Sequence, residues 1–208
     1  MIINFLIIIQ EFMRVMEKLF LLDINRMMIN CWNEAFAGCG DVYVVNEDFK
    51  TFISKNDEVD GIVSPGNSFG LMDGGYDKAI SEYFGEALYE AVQNKIMECF
   101  WGEQPVGTCL SLQIPNTKKI LLHIPTMRTP EVIIDPRIIY SCMRTTLVEA
   151  EKNGIKQIVV PAFGGMTGRV PGKIISRMMR EAYDDVDDRR RNRQYNTWSN
   201  IREINLWE

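Results

Sequence analysis

Short apolar runs alternate with stretches of helical period along most of the chain, and nearly every run ends in small or turn-forming residues. Residues 19–22, 42–45, 61–63, 106–112, 119–125 and 155–161 read as strands, the last a β-branched run that is the most strongly marked of the set. Helical patterns cover 26–36, 77–84, 86–100, 136–153 and 171–183. Leu88, Val92, Ile96 and Met97 form the expected inward stripe of the third helix, and Ile139, Met143, Leu147 and Ala150 that of the fourth. Pro136 opens one helix and Pro171 another, and Asn153-Gly154 closes the first of these. Residues 51–60 form a polar, partly helical connection. Alternation of this kind predicts an α/β fold with a mostly parallel sheet.

Two of the junctions stand apart. The run Gly61-Ile62-Val63 is followed by Ser64-Pro65-Gly66-Asn67-Ser68-Phe69-Gly70-Leu71-Met72-Asp73-Gly74-Gly75-Tyr76 before a helix with Asp77 near its start. The strand ending at Pro161 likewise feeds Ala162-Phe163-Gly164-Gly165-Met166-Thr167-Gly168-Arg169-Val170 before the last helix. Glycines let backbone N–H groups crowd against a ligand, and a helix start adds unpaired N–H groups with a partial positive charge. Each junction is therefore a natural anion site. In a parallel sheet both lie at strand carboxyl ends, so two loops can close on one ligand.

Composition changes the picture in two respects. The chain of 208 residues carries a net charge of −5, which argues against a surface built to grip nucleic acid with clustered Lys and Arg. Phosphate would then be held by backbone amides. The five cysteines are odd in number and none stands at C-x-x-C spacing, which points to reduced thiols and an intracellular setting, cytoplasmic or nuclear. Residues 1–9 are apolar, but a basic leader and cleavage signal are absent and the run is too short to span a bilayer as a helix; a docked strand or helix start is the expectation.

Few side chains offer themselves for chemistry. His123 is the only histidine, which excludes a histidine-rich metal site and reads as a half-buried strand residue with a structural hydrogen bond. Asp23 ends an apolar strand, as the ribose-binding acid of dinucleotide folds does, yet no glycine precedes Gly38, so it reads as a cap or turn residue. Asp48 stands just past the strand 42–45 and, by itself, reads as a surface acid. Four aspartates within 184–188 precede four arginines within 189–193, a pattern expected of a charge-paired helical surface.

Taken together, these segments resemble a known family. Asp60-Gly61-Ile62-Val63-Ser64-Pro65-Gly66-Asn67-Ser68 followed by Asp73-Gly74-Gly75-Tyr76-Asp77-Lys78-Ala79-Ile80 is similar to the first binding loop of macro domains, an aliphatic strand, N-A-A-N and then G-G-G-V-D-x-A-I. Ile158-Val159-Val160-Pro161-Ala162-Phe163-Gly164 through Pro171 resembles their second loop, and Val44-Val45-Asn46-Glu47-Asp48-Phe49 falls where the family has a strand followed by G-D-I. Ser64 stands in place of the first Asn, Asp73 in place of the first loop glycine and Tyr76 in place of Val.

The resemblance implies a three-layer α/β/α macro-domain fold with a central mixed, mostly parallel sheet at residues 19–183, between an N-terminal extension (1–18) and a charged C-terminal extension (184–208). It implies binding of ADP-ribose, free or on an ADP-ribosylated protein, and hydrolysis of an ADP-ribosyl linkage on a protein or in an O-acetyl-ADP-ribose type ester. A non-enzymatic ADP-ribose reader would use the same loops. By position, Asp48 would meet the adenine amino group and Phe49 the base, with Ser64 beside the ligand. Gly74, Gly75 and Tyr76, together with Gly164, Gly165, Met166, Thr167, Gly168 and Arg169, would surround the diphosphate. Asn67 would place the distal ribose and Asp77 would orient or deprotonate the attacking water. No metal or other cofactor is called for, nor is a membrane.

Overall fold

The computed structural model describes residues 16–191 and Thr197. The apolar segment 1–9 and most of the tail beyond 191 lie outside the described residues. Elements follow in the order β1 (Lys18–Leu22), α1 (Arg26–Ala35), β2 (Val42–Val45), α2 (Phe49–Lys55), β3 (Gly61–Ser64), α3 (Gly75–Phe84), α4 (Glu86–Phe100), β4 (Leu110–Gln113), β5 (Ile120–His123), α5 (Arg137–Lys152), β6 (Gln157–Pro161) and α6 (Gly172–Arg191). The strands form one sheet in the order β2-β1-β6-β3-β5-β4, with β4 antiparallel to β5 and the other pairings parallel.

Both faces of the sheet are covered, which is why its strands read as continuous apolar runs rather than alternating ones. Alternation appears instead in where each residue goes. Leu19, Leu21, Val63, Leu122, Ile158 and Val160 join one core cluster with Met28 and Trp32 of α1, Ile139, Met143 and Leu147 of α5, and Ile175, Met178 and Met179 of α6. Phe20, Leu22, Ile62, Leu121 and Val159 join the other, with Phe49, Phe52 and Ile53 of α2, Ile80 of α3, and Leu88, Val92 and Ile96 of α4. Three layers result, α/β/α.

Helix starts follow local chemistry. Asn25 caps α1 by accepting from the Met27 N–H at 2.9 Å, and Asp48 caps α2 by accepting from the Thr51 N–H at 3.0 Å. The connection read as partly helical thus holds α2. Met97 departs from its expected place in the core. Leu88, Val92 and Ile96 recur every four residues, and Met97, one step of about 100° further round the helix, is 61% exposed. Strand β4 begins later than its pattern suggested, because Gly107 adopts φ +81° and donates to Pro125 O in a turn.

The aspartate–arginine block continues α6 to Arg191, and the expected charge pairing is present: Arg180 with Asp184, Arg189 with Asp185, and Arg190 and Arg191 with Asp187. Val186 in this segment is buried, so these turns pack on the domain as well as carrying charge. Among the described residues no helix is long and apolar enough to cross a membrane.

Among the described residues Trp32 is the largest fully buried side chain, and it sits where α1 meets the sheet. Trp32→Ala should lower the unfolding free energy by about 3–5 kcal/mol in a denaturant melt, the range for removing a buried large aromatic.

Candidate functional site

Strand β1 leads to β2 on one side, whereas β3 lies on the other side of β6, so the chain changes direction around the β1-β6-β3 carboxyl ends. Ligands of open α/β sheets bind at such a point. The two glycine loops leave the sheet there, the first from β3 and the second from β6.

The first loop is folded by its own side chains. Asn67 donates from Nδ2 to Leu71 O at 3.0 Å, and its Oδ1 accepts from the N–H groups of Phe69 at 3.0 Å and Leu71 at 3.4 Å. Gln93 of α4 holds the outer turn by donating to Phe69 O and Gly70 O. Gly75 takes φ +56° and opens α3. The N–H groups of Gly75, Tyr76 and Asp77 in the first helical turn have no acceptor inside the helix.

The second loop hangs from fully buried Phe163. Val170 N–H donates to Gly164 O at 3.1 Å and Arg169 N–H to Met166 O at 3.1 Å, closing the loop on itself. A Cβ on Gly168 would stand 2.7 Å from Gly164 O, so only glycine permits this closure. The consecutive N–H groups of Gly165, Met166, Thr167 and Gly168 donate to nothing among the described residues. The loops approach each other closely: a Cβ on Gly75 would lie 3.6 Å from Met166 Sδ.

A cleft with two lobes surrounds this approach. The smaller, about 170 Å³, is lined by the first loop (Gly66, Asn67, Asp73 to Asp77), the second (Gly164 to Gly168) and Thr126, Met127 and Pro130. The larger, about 890 Å³, has Asp23, Met27, Met28, Asp48, Phe49, Val170, Lys173 and Ile175 among its lining residues. Gly75, Tyr76, Ala162, Gly165 and Met166 line both and form the waist. None of the residues lining the smaller lobe is basic. An anion at the waist would meet backbone amides instead.

Asp77 borders the smaller lobe. It is 6% exposed, Ser64 Oγ donates to its Oδ1 at 2.7 Å, and burial together with the nearby Asp73 charge raises its pKa to about 7 despite that hydrogen bond. A carboxyl group poised near neutrality can take or give a proton at physiological pH. His123 lies against the same loop: a Cβ on Gly66 would be 2.4 Å from His123 Nε2 and 3.1 Å from Asp77 Oδ2. Rather than half-buried, His123 is wholly buried, and desolvation lowers its pKa to about 4. Its Nδ1 is 2.7 Å from Gln104 Oε1, while Gln104 Nε2 donates to Thr108 O and His123 O, so the ring is neutral with its proton on Nδ1. Strand pairing of β3 with β5 explains the burial, since Ser64 and His123 are register partners.

The remaining expected residues divide. Asp48 and Phe49 line the larger lobe, where Phe49 packs edge-on against Tyr76 with ring centroids 5.3 Å apart. Both Asp48 carboxylate oxygens are engaged by Thr51, which holds the carboxyl below its usual range. Ser64 sits beneath the cleft and reaches it through Asp77. Arg169, at φ +54°, lines neither lobe. Asp23 is the turn residue expected, accepting from the Asn25 N–H, yet it also borders the larger lobe, where burial raises its pKa. Thr126, Met127 and Pro130, in a stretch with neither helical nor strand period, wall the smaller lobe. Among the described residues no cluster of His, Cys, Asp and Glu is arranged to hold a metal.

Residues 63–179 match the Macro domain family pattern. A protein from Aquifex aeolicus described as uncharacterized is 32% identical over 126 residues, covering 60% of this chain and 72% of the relative. Among solved structures, the macrodomain of Mycobacterium tuberculosis DarG superposes with a TM-score of 0.54 at 15% identity, covering 63% of this chain and 85% of that one. The Oceanobacillus iheyensis macrodomain with MES bound superposes with a TM-score of 0.54 at 19% identity, covering 62% of this chain and 70% of that one.

Because Asp77 keeps its proton to about pH 7 in the folded chain but ordinarily ionises near 3.8, the folded state binds the extra proton between those values, and stability falls as pH rises through them. Asp77→Asn should therefore melt above wild type at pH 8, with the difference closing towards pH 4. Thermal melts across that range check both the sign and the window.

Proposed function

The chain belongs to the macro domain family, and from that premise we propose that it binds ADP-ribose in the two-lobed cleft and hydrolyses an ADP-ribosyl linkage at the smaller lobe. The carrying observation is the facing of two sets of unpaired backbone amides, Gly75 to Asp77 and Gly165 to Gly168, at a waist between an apolar lobe and a small one holding a buried carboxyl. A diphosphate fits the waist, because its charge can be met by amides and the α3 dipole. The adenosine portion then occupies the larger lobe against Phe49 and Tyr76, and the distal ribose enters the smaller one.

Asp77 is the group available for chemistry. In its ionised form it accepts a proton from a water attacking the distal ribose, and the negative charge favours the positive charge developing on the sugar. Ser64 fixes the carboxyl orientation by its 2.7 Å bond. Asn67 serves the ribose through the loop it folds, since both ends of its amide are already engaged with loop backbone. Asp48 and Phe49 remain the residues assigned to the base, and the glycine-loop amides those assigned to the diphosphate.

Calorimetric titration with ADP-ribose should give a single site. Incubation with mono-ADP-ribosylated protein and with O-acetyl-ADP-ribose should release ADP-ribose from at least one of them. Asp77→Asn should slow release by about 100-fold or more, the scale of a lost general base, while binding ADP-ribose with nearly unchanged affinity. Turnover at the wild-type rate in that variant would remove Asp77 from the mechanism, and binding without release by wild type would leave a reader.

A further inference from the structure

The second glycine loop carries the longer row of free amides, and beyond Phe163 at its root the closest packing against its glycines is from outside the loop. What lies against it comes from elsewhere in the chain. After β5 the backbone runs beside the first loop: Thr126 N–H donates to Gly66 O at 3.0 Å, Met127 bridges Asn67 in parallel register, and Arg128 O accepts from Ser68 N–H at 3.2 Å. The same strap then crosses to the second loop, where Ile133 N–H donates to Gly168 O at 3.0 Å.

The Ile133 side chain completes the contact. Its Cδ1 stands 2.7 Å from where a Cβ would lie on Gly164 and equally 2.7 Å from where one would lie on Gly168. The glycines thus make a bare notch in the back of the loop, and Ile133 fills it. Its neighbours point away: Val132 is 50% and Ile134 94% exposed.

We infer that Ile133 is a positioning residue for the anion cradle: wedged against Gly164 and Gly168 from the strap, it holds the Gly165–Gly168 amides aimed at the waist and ties the second loop to the first. The strap anchors at both loops, so a movement of one is transmitted to the other. Removing the wedge takes the nearest side chain from both Gly164 and Gly168, conformationally the freest of residues, and leaves Gly164 only the more distant Val170 and Ile139. The amides then lose direction, while the wall of the larger lobe that β1, α1, α2 and α6 supply keeps its shape.

This inference rests on the proposed ADP-ribose site, and its test separates the two. Ile133→Ala should weaken ADP-ribose by about tenfold or more, as misaimed site groups do, while adenosine, which has no diphosphate, binds as to wild type. Ile134→Ala should leave both ligands unchanged, and Ile133→Val should recover most of the ADP-ribose affinity. In the ligand-free protein, Ile133→Ala should also speed amide exchange at Val170 and Arg169, whose bonds close the loop, without speeding exchange in β6. Equal losses for ADP-ribose and adenosine, or wild-type ADP-ribose binding, would overturn the positioning role. Unaltered exchange at Val170 and Arg169 would overturn it even if the wild-type protein bound no ADP-ribose, the result that would separately defeat the site.

Discussion

An anion held without a basic side chain has to be held by backbone amides, and amides can be aimed only by fixing the chain that carries them. Much of what surrounds the cleft meets that constraint. Asn67 spends its amide group on its own loop, Gln93 reaches from α4 to hold the outer turn, and Phe163 anchors the second loop in the core. Glycines are needed at Gly66 and Gly168 because His123 Nε2 and Gly164 O occupy the places of their missing side chains.

The same enclosure sets the chemistry of the carboxyl group. Asp77 lies on the first turn of α3, where the helix dipole favours its charge, and Ser64 donates to it; both effects stabilise the ion. Burial outweighs them, with the Asp73 charge adding to it, and the pKa settles near 7. The balance follows from strand order, for β5 and β6 flank β3 and close off the floor beneath Ser64. His123, neutral and fixed by Gln104, packs there without introducing a positive charge that would pull the carboxyl back to its ordinary range.

Features with a local cause were readable from the residues: the parallel strands, the helix begun at Pro136, the two glycine loops and the charge-paired end of α6. Features decided by distant neighbours were not. Met97 has the right polarity for a core stripe but the wrong angle. The burial of His123 depends on its pairing with β3, and the double role of Asp23 on β1 lying beside β6. The strap across residues 126–133 has no period at all, so nothing in its sequence marks it as a wall of the cleft. The loops themselves were legible through their glycines; what holds them in place was not.

The first described strand lies inside the sheet. β1 pairs with β2 on one side and, across some of the longest sequence separations in the fold, with β6 on the other. Contacts so distant in sequence form only after a large loop has closed, and parallel pairing of this kind is slow. The second glycine loop springs from β6 and the first from β3, so its amides can face the first loop only once the similarly long-range β3–β6 pairing has formed. The cleft is accordingly a late product of folding, and a chain that has assembled only the β3-β5-β4 half of the sheet would possess Asp77 and its helix without an opposing cradle.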